Sequence, residues 1–125
     1  MYSVTVKESF IARHYLTVPD PGPEGEVHSH RFTMEVMFEG EELGEYGYLV
    51  DIDAVKDGIE AVRRRYEDVT LNEQPAFDGL NPSVEHFSRI ACETLLGHVD
   101  PSMADRVRVR MWEDETASAS YERAL

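Results

Sequence analysis

Residues 2 to 14 alternate between apolar and polar side chains, with Tyr2, Val4, Val6, Phe10, Ala12 and His14 on one face and Ser3, Thr5, Lys7, Ser9 and Arg13 on the other. A period of two is that of a half-buried strand, so a long strand is expected here, its apolar face ending in a histidine. The segment TVPDPGPEGE (17 to 26) holds three prolines and two glycines. It fits neither a helix nor a central strand and reads as a loop. Alternation resumes over 28 to 39, where His28 and His30 share a side with Phe32, Met34, Val36 and Phe38. The stretch EGEELGEYG then turns the chain back.

From Ile52 the period lengthens. Ile52, Val55, Ile59, Val62 and Tyr66 recur every three or four residues and form one apolar stripe of a helix, with Asp51 or Asp53 as its N-cap. Arg63, Arg64 and Arg65 fall in its last turns, where cations suit the macrodipole, so the run reads as a solvated helix end. After a loop containing LNEQPAFDGLNP, a second helix is expected over roughly 83 to 97. It starts near Pro82 with Asn81 or Ser83 as cap, is lined inside by Val84, Phe87, Ile90, Ala91, Thr94 and Leu95, and is ended by Gly97. Alternation returns in the last 20 residues, with Val107, Val109, Met111 and Glu113 on one face and Arg106, Arg108, Arg110 and Trp112 on the other. A final short strand is expected around 118 to 123. The order strand, strand, helix, helix, strand, strand implies an α+β fold, an antiparallel sheet with both helices on one face.

A chain of 125 residues suits a single domain, 1 to 125, with one core. Its 25 acidic residues outnumber 12 basic ones, for a formal net charge of −13. That balance repels nucleic acid and anionic membrane and argues against both as partners. Only Lys7 and Lys56 are lysine. An acidic, lysine-poor surface suits a halophile's high-salt cytoplasm, where the Debye length falls to about 3 Å at 1 M. The lone Cys92 excludes an intrachain disulfide, and no segment has the pattern of a secretory signal or a membrane span. A cytoplasmic protein is expected.

His14, the pair His28 and His30, and Glu113 are polar groups at or near the ends of apolar strand faces. Buried imidazoles and carboxylates need partners. Adjacent long strands would bring His14 beside His28 and His30, and three neutral imidazoles on one side form a zinc site with a fourth position open. An H-x-H pair is also an ordinary strand start, and WEDE an ordinary exposed turn.

The motifs FIARH (10 to 14), HSH (28 to 30), GYLVDIDAVK (47 to 56), LN (71 and 72), NPSVE (81 to 85) and WEDETASASY (112 to 121) follow one another along nearly the whole chain. Their order and spacing resemble those of the 6-pyruvoyl-tetrahydropterin synthase and 6-carboxy-tetrahydropterin synthase family. The resemblance implies the tunnelling fold, in which ββααββ subunits assemble through their sheets into a barrel, usually a homohexamer of two stacked trimers with active sites at subunit interfaces. It implies zinc on His14, His28 and His30, a pterin ring anchored by Glu113, and a polar contact from Ser83, which is equally a plain N-cap. A lyase acting on a dihydroneopterin-type substrate, in folate- or queuosine-type biosynthesis, is the activity it suggests.

The family's proton-transfer residues are replaced. Its cysteine ahead of the histidine pair is absent from PEGEVHSH, where Glu24 or Glu26 stands, and its Asp-His pair before LN becomes Glu67 and Asp68. Cys92 lies inside the second helix and reads as a small core residue. Family members with glutamate in place of the cysteine cleave the side chain of dihydroneopterin phosphate or similar substrates, which makes Glu24 or Glu26 the candidate base. Two other readings stay open. One is a pterin- or purine-binding relative without proton transfer, and the other a structural oligomer whose histidines bind nothing.

Overall fold

The computed structural model describes residues Met1–Leu125. Four strands, β1 (Tyr2–His14), β2 (His28–Gly40), β3 (Arg106–Trp112) and β4 (Ser118–Ala124), form one antiparallel sheet in the order β1-β2-β3-β4. Between β2 and β3 lie the helices α1 (Ile52–Tyr66) and α2 (Val84–Leu96). The expected α+β arrangement is therefore the observed one.

Period decides what each element buries. On β2, Phe32, Met34, Val36 and Phe38 are fully buried, and on β3 so are Val107, Val109 and Met111. Helix α1 packs on β1 and on α2, and α2 on β3 and β4. A single cluster of 24 buried apolar residues fills the space between sheet and helices. Edge-to-face contacts of Phe87 with Phe10, Phe32, Tyr66 and Phe77 join both strands and helices at its centre.

Asp51 caps α1, accepting from the Asp53 and Ala54 amides, and Ser83 caps α2, its Oγ accepting from the His86 amide at 3.1 Å. Ile52 departs from the expected stripe. It lies in the first turn, beyond the helix pair, and is 46% exposed. Buried Gly58 stands in the α1 stripe, where an added Cβ would sit 2.4 Å from Val99 Cγ2.

Two features of the sheet position the site. Strand β2 outruns β3, whose pairing begins at Thr33↔Trp112, so residues 28 to 32 extend past β3 with only β1 paired to them. The outer side of β1 there is covered by the segment after α1, through Asp68 N–H to Ile11 O at 2.7 Å and Arg13 N–H to Val69 O at 2.8 Å.

Candidate metal and substrate site

The β1–β2 register pairs His14 with His28 and Ala12 with His30. Residues of equal parity face the same side, so all three imidazoles converge at the end of the core. Their ring centroids are 4.6 Å (His14–His28), 4.9 Å (His28–His30) and 5.2 Å (His14–His30) apart. One ring nitrogen from each lies within 4.8 Å of the others, a spacing that can hold a metal ion.

Hydrogen bonds behind the rings orient them. His14 Nδ1 donates to the Pro82 carbonyl at 2.9 Å and His28 Nδ1 to the Glu26 carbonyl at 2.8 Å. A carbonyl can only accept, so Nδ1 carries the proton in both and Nε2 presents a lone pair. The Nε2 atoms of His14, His28 and His30 are all buried without a hydrogen-bond partner. Burial also holds the His14 imidazole below its ordinary pKa, with His28 and His30 adding to the effect. Three converging imidazole nitrogens, two of them on rings backed by carbonyl acceptors, are the donor set of a zinc site, and the residues present fit that ion.

Glu113, the first residue past β3, turns its Oε1 to 3.2 Å from His30 Nε2 and 4.0 Å from His14 Nε2. The 3.2 Å approach lies off the hydrogen-bond direction, leaving His30 Nε2 without a hydrogen-bond partner. An open pocket of about 720 Å³ adjoins the cluster on the polar side of the sheet, lined by Ser9, His30, Arg31, Thr33, Trp112 and Glu113 among others.

The remaining candidates are placed differently. Glu24 and Glu26 lie on the exposed loop between β1 and β2, in and just after a single 3-10 turn over Gly22–Gly25, and neither carboxylate is paired. Glu26 is nonetheless joined to the cluster by its backbone, through His28. Glu67 caps α1 and is ion-paired with Arg63, while Asp68 is exposed at φ 59° on the covered edge of β1. Within one chain neither of these two meets the histidines. Ser83 occupies its N-cap and directly follows Pro82, whose carbonyl holds His14.

Sequence reasoning gave no role to Asn72, the asparagine of LN, and offered Asn81, the asparagine of NP, only as a helix cap, a place that Ser83 takes. Asn72 Oδ1 accepts from the Tyr15 amide at 3.0 Å and its Nδ2 donates to the Tyr15 carbonyl at 2.9 Å. Asn81 Oδ1 accepts from the Thr17 amide at 2.9 Å. Together they clamp the chain just after His14. Their short motifs are visible in the sequence, but the partners are 57 and 64 residues away.

Residues 3–124 match the 6-pyruvoyl tetrahydropterin synthase family, and the chain belongs to that family. A 6-pyruvoyl tetrahydropterin synthase from Plasmodium vivax superposes with a TM-score of 0.85 over 99% of this chain and 98% of its own, at 13% identity. The same enzyme has been solved with a residue described as catalytic, a glutamate, changed to alanine or to cysteine. The Caenorhabditis elegans synthase gives a TM-score of 0.78 at 21% identity, again over 99% of this chain and 98% of its own. The four-stranded sheet with two helices is thus the tunnelling fold of that family. No curated protein matches the sequence.

Proposed function

We propose that this chain, as one domain, is a zinc-dependent pterin lyase acting on a dihydroneopterin-phosphate-type substrate by proton abstraction with phosphate elimination or side-chain cleavage. The observation that carries it is the convergence of three buried, unpartnered imidazole nitrogens beside a carboxylate and an open pocket. His14, His28 and His30 would hold the zinc, which when bound polarises the substrate's side-chain oxygens. Pro82 and Glu26 keep the His14 and His28 rings in the ligating tautomer through their carbonyls.

Glu113 anchors the pterin, its two oxygens accepting from the exocyclic amino group and the adjacent ring N–H. Ser83 Oγ already accepts from the His86 amide, which leaves its O–H free to donate to the ring. Glu24 or Glu26 takes the proton from the substrate side chain, standing where the family's cysteine would be. The solved Plasmodium vivax variants support this, since a glutamate is the residue described there as catalytic. Glu67 and Asp68 would serve as proton carriers from a neighbouring copy, since within one chain neither meets the histidines. The β4 edge and the part of the β1 edge before Ile11, which pair with no other strand, suit assembly into a homohexamer of two trimers, with sites completed between copies. No helix is long and apolar enough to cross a membrane. A cytoplasmic, high-salt setting suits the acidic surface, and the net charge disfavours nucleic acid or membrane partners.

The test is zinc content together with turnover of 7,8-dihydroneopterin phosphate. One zinc per chain and measurable turnover are expected. Either Glu24→Gln or Glu26→Gln then lowers kcat by roughly 10²- to 10⁴-fold with zinc retained, the usual contribution of a positioned base. The exposure of both loop carboxylates favours one second reading, a relative that binds the ring without turnover. Full zinc, no turnover, and ring affinity that falls about 100-fold or more in Glu113→Ala would establish it, given about 1.5–3 kcal/mol for each hydrogen bond to a charged group.

A further inference from the structure

The side of the sheet that faces away from the helices carries a division of charge that the histidine cluster does not use. Lys7, Ser9, Arg31, Thr33 and Glu35 share that side over β1 and β2, and all five line the 720 Å³ pocket. Glu113, Asp114 and Glu115 line its other end, past β3. Asp114 is committed there to closing the turn, its Oδ1 accepting from the Thr116 and Ala117 amides.

With 25 acidic residues for 12 basic ones, acidic partners are plentiful, and Arg63, Arg64, Arg89, Arg108 and Arg123 have them. Lys7 and Arg31 have none. Glu35 lies directly opposite Lys7 in the β1–β2 register and opposite Arg110 in the β2–β3 register, yet pairs with neither. Arg110 instead places its guanidinium 5.7 Å from the centre of the Trp112 ring, itself part of the pocket wall. Three cations thus surround one carboxylate at this end.

The floor between the cations is polar. Ser9 Oγ and Thr33 Oγ1 are 2.8 Å apart. Whichever hydroxyl donates, the O–H of the other stays free, so the pair offers the pocket one donor. Lys7 precedes Ser9 by two residues and Arg31 precedes Thr33 by two, and on antiparallel strands these steps run in opposite directions. The hydroxyl pair therefore lies between the two cations, about 7 Å along the strand from each. An ammonium, a guanidinium fork and a hydroxyl O–H are all donors, the set that phosphate oxygens accept from.

We propose that this end of the pocket is a phosphate subsite, in which Arg31 and Lys7 pair with the phosphate and the Ser9–Thr33 hydroxyls donate to it, while Glu113 holds the ring at the opposite end. That the phosphate is the substrate's rests on the function proposed above; the affinity for the anion does not. A phosphate ester and free pyrophosphate present the same oxygens, and the experiment separates them.

Metal-free full chain is titrated calorimetrically with pyrophosphate at fixed ionic strength, so that no zinc competes for the anion. Arg31→Gln and Lys7→Gln should each weaken binding roughly 10-fold, the order of one hydrogen bond to a charged group. Lys56→Gln, which removes an equal charge from the exposed side of α1, should leave it unchanged. In zinc-loaded protein, Arg31→Gln should raise the KM for 7,8-dihydroneopterin phosphate about 10-fold with kcat little changed, and should leave unphosphorylated 7,8-dihydroneopterin unaffected. A change confined to inhibition by pyrophosphate assigns the subsite to the free anion. Wild-type protein that does not bind pyrophosphate overturns the proposal, as does affinity that is the same in Arg31→Gln, Lys7→Gln and wild type. An equal loss in Lys56→Gln also overturns it, by tracing the effect to net charge. Pyrophosphate binding that responds as expected in a protein without turnover leaves the subsite standing and removes the lyase.

Discussion

His14 carries a consequence for stability that is separate from any activity. It is 2% exposed, and burial keeps it from taking up a proton that an unfolded chain would bind near pH 6.5. Where the unfolded state binds more protons, stability rises with pH. In metal-free protein this contribution is therefore complete above about 6.5 and is lost as pH falls below that value towards the depressed value of the folded state. Urea unfolding should give a lower midpoint at pH 5.5 than at pH 7.5, and His14→Gln should remove most of that difference. An undiminished difference in His14→Gln would place its source elsewhere. Alternation alone put His14, His28 and His30 on one side of the sheet, because parity on a strand is a local property. It did not reveal the Pro82 carbonyl behind His14, which is 68 residues away and is brought there only by the packing of α2.

At the scale of elements, periodicity predicts strands and helices to within a residue or so, and both helix caps fall on residues foreseen for them. Close approaches between elements were not legible, because they depend on where two segments cross. Gly40 ends β2 in such a place. An added Cβ would lie 2.7 Å from Leu49 Cδ1 and 2.9 Å from the Met103 carbonyl oxygen. The leucine can turn aside, but the carbonyl belongs to a backbone held by Met103 N–H to Leu49 O at 3.1 Å. Gly40→Ala should therefore cost about 1–3 kcal/mol, the usual range for overpacking. Chemical denaturation would register this as a lower midpoint with an unchanged slope, and a midpoint equal to wild type would mean the crossing yields freely. The mutation lies at the end of β2 away from the histidines, so metal affinity of the folded variant should be unaltered.

For the whole molecule, charge is the property most plainly written in the sequence and the one that folding does least to resolve. Ion pairs to cationic groups engage Glu8, Glu41, Glu60, Glu67, Glu93 and Glu122, leaving most of the 25 acidic residues without a partner. At about 0.01 M salt the Debye length is about 30 Å, so charges across the molecule repel one another; at 1 M it is about 3 Å and only contacts survive. Screening thus removes more repulsion than attraction. The melting temperature should rise from dilute buffer to molar KCl, by roughly 4 °C for each kcal/mol of repulsion removed in a chain of this size. Glu42 and Glu45 are exposed and unpaired in the turn after β2, so Glu42→Gln with Glu45→Gln should raise the melting temperature in dilute buffer and flatten its dependence on salt. Potassium chloride is the salt to use, since sulfate also strengthens apolar burial by exclusion from the surface. The same melting temperature in dilute buffer and in molar KCl would show that the net charge of −13 is spread too thinly to strain the fold, and would remove the argument for a high-salt setting.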